Sequence, residues 1–349
     1  TLAAIVYLIF MRRAPNVRWP AVWADRAVFG FAAVYALTFS ALAILRYQTF
    51  HTDGYDLAIF DQVVWNSLHG RLFENTILAD APLLIGQRFS PILLAFVPLY
   101  ALWSSPIILL VAQTVGIAAG VFPLYWFTRA RIGPAAGALI AVAYFLFPAT
   151  EFVNLAEFHE IALTIPLFAY ATFFLLRQKY VPLSVLLGVA LLVKEEIGLF
   201  VIVFGGFIFR IQRQRWIGLT LMLLGAVWFV ALLQIVLPEL ATGAFGSGYY
   251  YFGKGIAAGT GRYDYLGNSL SEIGMTIATR PDLVLNHLLV QRKIEFVLYL
   301  FAPLAFLPIF CPELMLLTLP TFATSLLSDY TLQTSIEHHY SAALVPLLF

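Results

Sequence analysis

VPLSVLLGVALLVKEEIGLFVIVFGGFIF, residues 181–209, decides how this chain is folded. It is an apolar run of 29 residues, broken at its centre by Lys194-Glu195-Glu196. Each apolar half has only 13 residues, a helical rise of about 20 Å, short of the ~30 Å hydrocarbon layer. The run therefore reads as two helices that leave and return to the same side, with the charged triplet at the hairpin tip. Ionisable groups kept at such depth usually pair or bind something. A Lys–Glu pair that merely neutralises the tip is the plainer alternative.

The rest of the chain supports this setting. Of 349 residues, 61% are hydrophobic and 11% charged, against about 25% charged in soluble domains. The excess of apolar residues is continuous rather than alternating, which excludes a barrel. The expected fold is an all-α, polytopic membrane protein with about 9–11 membrane helices, counting short or re-entrant pieces. Clear spans are expected at about 27–45, 106–128, 133–149, 161–176, 216–237, 294–310 and 314–327, with partial spans at 1–11 and from 341 onward. Residues 89–103 are too short to cross and read as re-entrant or interfacial. A net charge of +1 argues against nucleic acid as a partner, and a single cysteine, Cys311, forms no internal disulfide. Residues 1–349 read as one transmembrane domain, a fragment of a longer protein, since the sequence begins and ends within apolar runs.

Lys and Arg mark the inner side. Four short sets do so: Arg12, Arg13, Arg18 and Arg26; Arg129 and Arg131; Arg177 and Lys179; Arg210, Arg213 and Arg215. All four share one side if 89–103 does not cross and 181–209 is a hairpin. The acids, not used to build this topology, test it. Only Asp25 and Glu313 fall inside, and the other 17 of 19 fall outside. The outer loops are then about 46–88, 150–160, 239–292 and 328–340.

Four polar motifs occupy this outer face. The first loop carries Tyr55-Asp56 to Asp61 and an amphipathic stretch, Leu57, Phe60, Val64 and Leu68, at helical spacing. A helix lying on the membrane surface fits it. Asp56 precedes that stretch, so capping the helix is one role for it and chemistry another. Asp61, five residues on, lies roughly 140° away around a helix. The second loop carries Glu157-Phe158-His159-Glu160, the hairpin tip Lys194-Glu195-Glu196, and the last loop Glu337-His338-His339-Tyr340. Adjacent histidines diverge in a helix, so at most one of the last pair is expected to face the other motifs. The Gly- and Tyr-rich loop 239–292 reads as a mobile connector, with Lys254 and Arg262 able to meet an anion.

At these residues the chain resembles a family of prokaryotic membrane proteins, domain of unknown function 2079. The resemblance runs through Tyr55-Asp-Leu-Ala-Ile-Phe-Asp-Gln62, Phe89-Ser-Pro-Ile, Phe158-His159, Val193-Lys194-Glu195, Arg262-Tyr-Asp-Tyr-Leu-Gly267 and His339-Tyr340-Ser-Ala, in order over about 46–346. That family is grouped with the GT-C glycosyltransferases, which use lipid-linked sugar donors and an acidic residue of the first outer loop. The resemblance implies a GT-C-like fold and a glycosyltransferase taking a polyprenyl-phosphate-linked sugar at the periplasmic or extracellular face of the prokaryotic inner membrane. Asp56 or Asp61 would occupy the catalytic position. Lys194, Arg88, Arg262 and Tyr263 would hold the phosphate. Glu157, His159 and His339 would supply ligands for a divalent cation, Mg or Mn, supported by Glu195, Glu196, Glu337 and Tyr340. Two departures stand out: Gln87-Arg88 where the family pattern has a His before Phe-Ser-Pro, and Glu157 where Asp is usual. The alternative expectation is a non-catalytic subunit of a larger membrane complex that keeps the same fold.

Overall fold

The computed structural model describes residues 20–52, 55–78, 82–240 and 261–349. The expected first partial span with Arg12, Arg13 and Arg18, and much of the Gly- and Tyr-rich loop with Lys254, lie outside the described residues. Every named element among the described residues is helical, apart from one isolated bridge between Glu74 and Leu83.

Among the described residues, three helices are long and apolar enough to cross a bilayer: Ala21–Gln48, Ile107–Arg131 and Arg215–Leu240. Pro134–Phe145 and Pro148–Leu155 make a fourth if the pair, bent by 46°, is one span. The bend falls at Pro148, whose ring cannot continue the preceding helix. Helix Ala21–Gln48 follows Pro20 and carries Arg46 in its last turn; that cation complements the free carbonyls there. It is apolar on all sides, and Leu37 is 73% exposed. In water that surface would be a liability; against lipid it is the expected state. Its inner end is fixed by Asp25, which pairs with Arg129 and accepts from Tyr125. One of the two acids assigned to the inner side thus meets a cation assigned there independently.

The 181–209 hairpin forms as its sequence dictates: Tyr180–Leu191, a turn carrying Lys194-Glu195-Glu196, then Ile197–Arg210. Its second arm packs closely on Arg215–Ala231. The contact is backbone to backbone: a Cβ placed on Gly205 would stand 2.7 Å from the Gly218 carbonyl, and one on Gly225 2.5 Å from the Gly198 carbonyl. Small residues spaced one heptad apart allow this approach, the usual means of helix association where lipid removes the hydrophobic drive.

Three expectations need correction. The Asp56–Leu68 helix does not turn its apolar face to lipid. Leu57, Phe60, Val63 and Val64 are buried, packed with Leu93, Phe96 and Tyr100 of the short Pro91–Leu102 piece. Its apolar face is covered by protein because 89–103, too short to cross, folds back over it. The span expected at 294–310 is also not a continuous helix. Gln291–Phe301 ends in short turns, with Ala305 and Phe306 in left-handed conformation, and helical structure resumes at Pro312 and runs to Leu326 across the span expected at 314–327. Pro303 and Pro308 each remove a helix donor and clash with the preceding turn. Finally, what is described of the long loop is not a plain connector: it forms helices Leu270–Thr279 and Pro281–Leu288.

Candidate functional site

Asp56 is the first residue of its helix, where the free N–H groups favour an acid. No side chain caps that helix at Tyr55. The Asp56 carboxylate instead reaches the second outer loop. His159 donates from Nε2 to its Oδ2 at 3.3 Å, and the Arg88 guanidinium lies 3.6 Å from its Oδ1. Burial pushes the Asp56 carboxyl up, but the His159 hydrogen bond and the charges of Arg88, His159 and Lys194 outweigh it and hold it at about 2.

Asp61 points away from this group. Its Oδ1 accepts from the Tyr100 hydroxyl at 2.7 Å, and burial raises its carboxyl above the usual carboxylate range despite that bond. The 140° offset read from the sequence is what separates the two acids.

His159 is set by its backbone. Glu157, two residues earlier, has a φ of 68°, a left-handed conformation that costs a residue with a Cβ about 1 kcal/mol or more. Gln113, buried in the Ile107–Arg131 helix, holds both neighbours of the strained segment. Its Nε2 donates to the Glu157 carbonyl at 2.6 Å, and its Oε1 accepts from the His159 N–H at 2.8 Å. Phe158 is fully buried between Phe60 and Phe96, edge to face with both. The result fixes the imidazole behind Asp56, while His159 Nδ1 is buried without a hydrogen bond.

Arg88 is clamped by two acids. Besides Asp56, it lies 3.8 Å from Glu160, a buried carboxylate, and it sits over the Phe60 ring. Lys194 pairs with Glu196 at 3.6 Å, while Glu195 accepts from the Phe89 N–H at 3.1 Å and ties the hairpin tip to the first loop. Arg262 lies over the rings of Tyr330 and Tyr340. Tyr263 is turned inward and donates to the Thr324 carbonyl, so it positions the Arg262 turn and lines neither of the cavities found here.

Those cavities adjoin. A small chamber of about 30 Å³ is lined by Arg88, Lys194 and Arg262 together with Gln87, Glu195, His339 and Tyr340. At about 10–15 Å³ per water, it has room for about two water-sized groups, the scale of the free oxygens of a phosphate. A larger cleft of about 710 Å³ contains Asp56, Glu157, His159 and His339, with aromatic and imidazole side chains at its rim. His339 and Tyr340 line both cavities. Glu337 and His338 line only the larger one. All four outer motifs thus contribute to one locus.

The donors expected to bind a divalent cation do not converge. The His159 and His339 rings stack face to face, centroids 3.6 Å apart and planes 20° from parallel. Imidazole lone pairs lie in the ring plane, so stacked rings do not aim at one ion. Among the described residues, no group of three or more His, Cys, Asp or Glu side chains is placed to hold a metal. The residues present do not fit such an ion. Stacking does have an electrostatic consequence. Burial, then the charges of His159, Lys194, Arg88 and Arg262, push His339 well below the ordinary imidazole value.

Sequence reasoning passed over Gln113 and gave Glu160 no role. A signal existed for both: Gln113 interrupts an apolar span, and Glu160 belongs to the second-loop motif. It also passed over Ser269 and Glu272. The Ser269 hydroxyl accepts from the Glu272 N–H and the Glu272 carboxylate from the Asn268 N–H, a pattern that starts the Leu270–Thr279 helix.

The family model described as predicted membrane protein (DUF2079) matches residues 46–349. No curated protein and no solved structure matches the chain.

Proposed function

We propose that this chain, which belongs to the DUF2079 family of predicted membrane proteins, transfers a glycosyl group from a polyprenyl-phosphate-linked sugar at the outer face of a prokaryotic cytoplasmic membrane. One observation carries the reading. Three cations from distant stretches of the chain, Arg88, Lys194 and Arg262, line a chamber with room for the free oxygens of a phosphate, and Arg88 also contacts Asp56 at the wall of the larger cleft. Pairs of Arg88 with Asp56 and Glu160, and of Lys194 with Glu196, fix where these cations stand.

In this reading the chamber takes the phosphate, and the cleft takes the sugar and the acceptor. The acceptor oxygen bonds to the anomeric carbon as the bond from that carbon to the phosphate oxygen breaks. The electron pair leaves on the phosphate, where Arg88, Lys194 and Arg262 meet the growing charge. The acceptor proton passes to Asp56. A carboxylate held at about 2 is a weak base, yet it suffices, because the hydroxyl becomes strongly acidic as its new bond forms. His159 and Arg88 keep that carboxylate aimed and charged.

The test separates binding from transfer. The protein in nanodiscs should bind polyprenyl phosphate in preference to polyprenol. Lys194→Gln or Arg262→Gln should weaken binding about tenfold, the worth of a charge-assisted contact of ~1.5 kcal/mol. Asp56→Asn should retain binding and lose transfer from labelled lipid-linked sugars in native membranes. Equal affinity for polyprenol would overturn the chamber assignment. Phosphate binding with unchanged glycoconjugates in Asp56→Asn cells would point to the non-catalytic subunit.

A further inference from the structure

Helix Pro281–Leu288 lies on the surface of the protein and leaves large apolar side chains exposed. It has no buried residue. The side that touches the protein carries half-buried Leu283, Val284 and Leu288 together with His287, whose Nδ1 lies 3.6 Å from Asp329, whose Nε2 lies 3.4 Å from the Ser328 carbonyl, and whose ring packs on Tyr265. Leu285 and Leu289 stand four residues apart and so share a face. His287 is two residues from each, roughly 200° around. The side turned away from the protein carries an apolar strip, with Leu285 56% and Leu289 68% exposed. Asp282 and Asn286 mark a third side, also exposed.

This division into protein, apolar and polar sides suits a helix at a membrane boundary. The preceding helix Leu270–Thr279 likewise has no buried residue and exposes Met275 and Ile277. The apolar surface also continues along the chain. Helix Gln291–Phe301 follows directly, and it exposes Ile294, Leu298 and Tyr299. In a chain that crosses the bilayer, that exposed strip leads through Leu298, Ile294, Val290 and Leu289 to the two short helices.

We infer that Leu270–Thr279 and Pro281–Leu288 form an interfacial platform, seated in the headgroup and acyl boundary of the outer leaflet with Leu285 and Leu289 immersed in lipid. The occupant of the exposed face is the bilayer itself. Helices of this kind sit about 5–10 Å into that boundary. The platform follows the turn that carries Arg262, whose carbonyl accepts from the Asp329 N–H, and Asp329 also faces His287. One side of the basic chamber is thereby tied to the membrane surface. The inference stands without the glycosyl-transfer reading, because it rests on which faces the helices expose.

The experiment uses the full protein with Cys311→Ser, reconstituted in phosphatidylethanolamine and phosphatidylglycerol vesicles. Spin labels are placed singly at Leu285→Cys, Leu289→Cys, Asp282→Cys and Asn286→Cys. Labels at 285 and 289 should collide with oxygen several-fold more, relative to a water-soluble nickel chelate, than labels at 282 and 286. Equal accessibility to the nickel chelate at all four positions would overturn the inference. Spin–spin broadening at 285 and 289 that disappears on dilution with unlabelled protein would also overturn it, assigning the face to a second copy of the chain. Should Leu285→Cys fail to fold, Met275→Cys decides by the same criterion.

Discussion

Gly205 and Gly206 are adjacent in one helix and should respond oppositely to the same substitution. A Cβ on Gly205 would stand 2.7 Å from the Gly218 carbonyl and 2.8 Å from the Met222 N, whereas one on Gly206 meets nothing within 4 Å. Ordinary contact begins near 3.4 Å, so Gly205→Ala must push the facing helix backbones about 0.7 Å further apart. Neither obstacle is a flexible side chain. Overpacking of this kind costs about 1–3 kcal/mol. Both variants receive the same helix-propensity gain, about 0.8–1.0 kcal/mol, so it cancels in the comparison. Gly205→Ala should therefore be less stable than Gly206→Ala by about 1–3 kcal/mol, with Gly206→Ala at or above the parent. Reversible unfolding in mixed dodecyl maltoside and dodecyl sulfate micelles measures this directly. The displacement should also reach the site. The helix begins at Ile197, directly after the charged tip, and Glu195 is held to Phe89 by one 3.1 Å hydrogen bond. Phosphate binding should fall in Gly205→Ala and not in Gly206→Ala. Equal stabilities, or Gly206→Ala as the weaker variant, would refute the backbone packing described for this hairpin.

Other consequences concern the charged site. The Asp56 carboxyl sits at about 2 against an ordinary 3.8, so its stabilisation is complete above the ordinary value and is lost as pH falls through that window. Asp56→Asn should flatten the acid limb of a stability profile there, and an unchanged limb would contradict the His159 and Arg88 contacts. His339, held well below the ordinary 6.5, should stay neutral at pH 6. Its resistance to protonation costs stability as pH drops below that ordinary value. Nitrogen-15 imidazole shifts report this, and a titration near the ordinary value would contradict the stacked arrangement. Gln113→Leu removes the donor and acceptor that hold Glu157 and His159, leaving two buried backbone groups unsatisfied at about 1–3 kcal/mol each. It should lower both stability and the acid-limb effect of Asp56, which a core defect remote from the site would not do.

Much of this layout is legible in the sequence because it depends on local, additive quantities. Hydropathy marks the spans, and the Lys194-Glu195-Glu196 interruption marks a hairpin whose halves are too short to cross. Where prolines intervene, the same quantities misled. The run at 294–310 is apolar enough to span, yet Pro303 and Pro308 break it. The amphipathic stretch at 57–68 was legible as a helix but not as to its cover. An apolar stripe buries equally well against lipid or against the Pro91–Leu102 piece, and hydropathy does not distinguish them.

The sequence by itself determined a helical membrane protein, since transfer to lipid is a property of each segment taken alone. Only the tertiary structure decided which polar groups meet. Asp56 and His159 are 103 residues apart in the chain, and Asp56, not Asp61, finds the imidazole because the buried face of their shared helix turns Asp61 to Tyr100. The histidines look like metal ligands when read singly, but stacking directs their lone pairs along parallel planes. Convergence of side chains is set by packing between segments, and a 3 Å contact registers rotations that no segment specifies for itself.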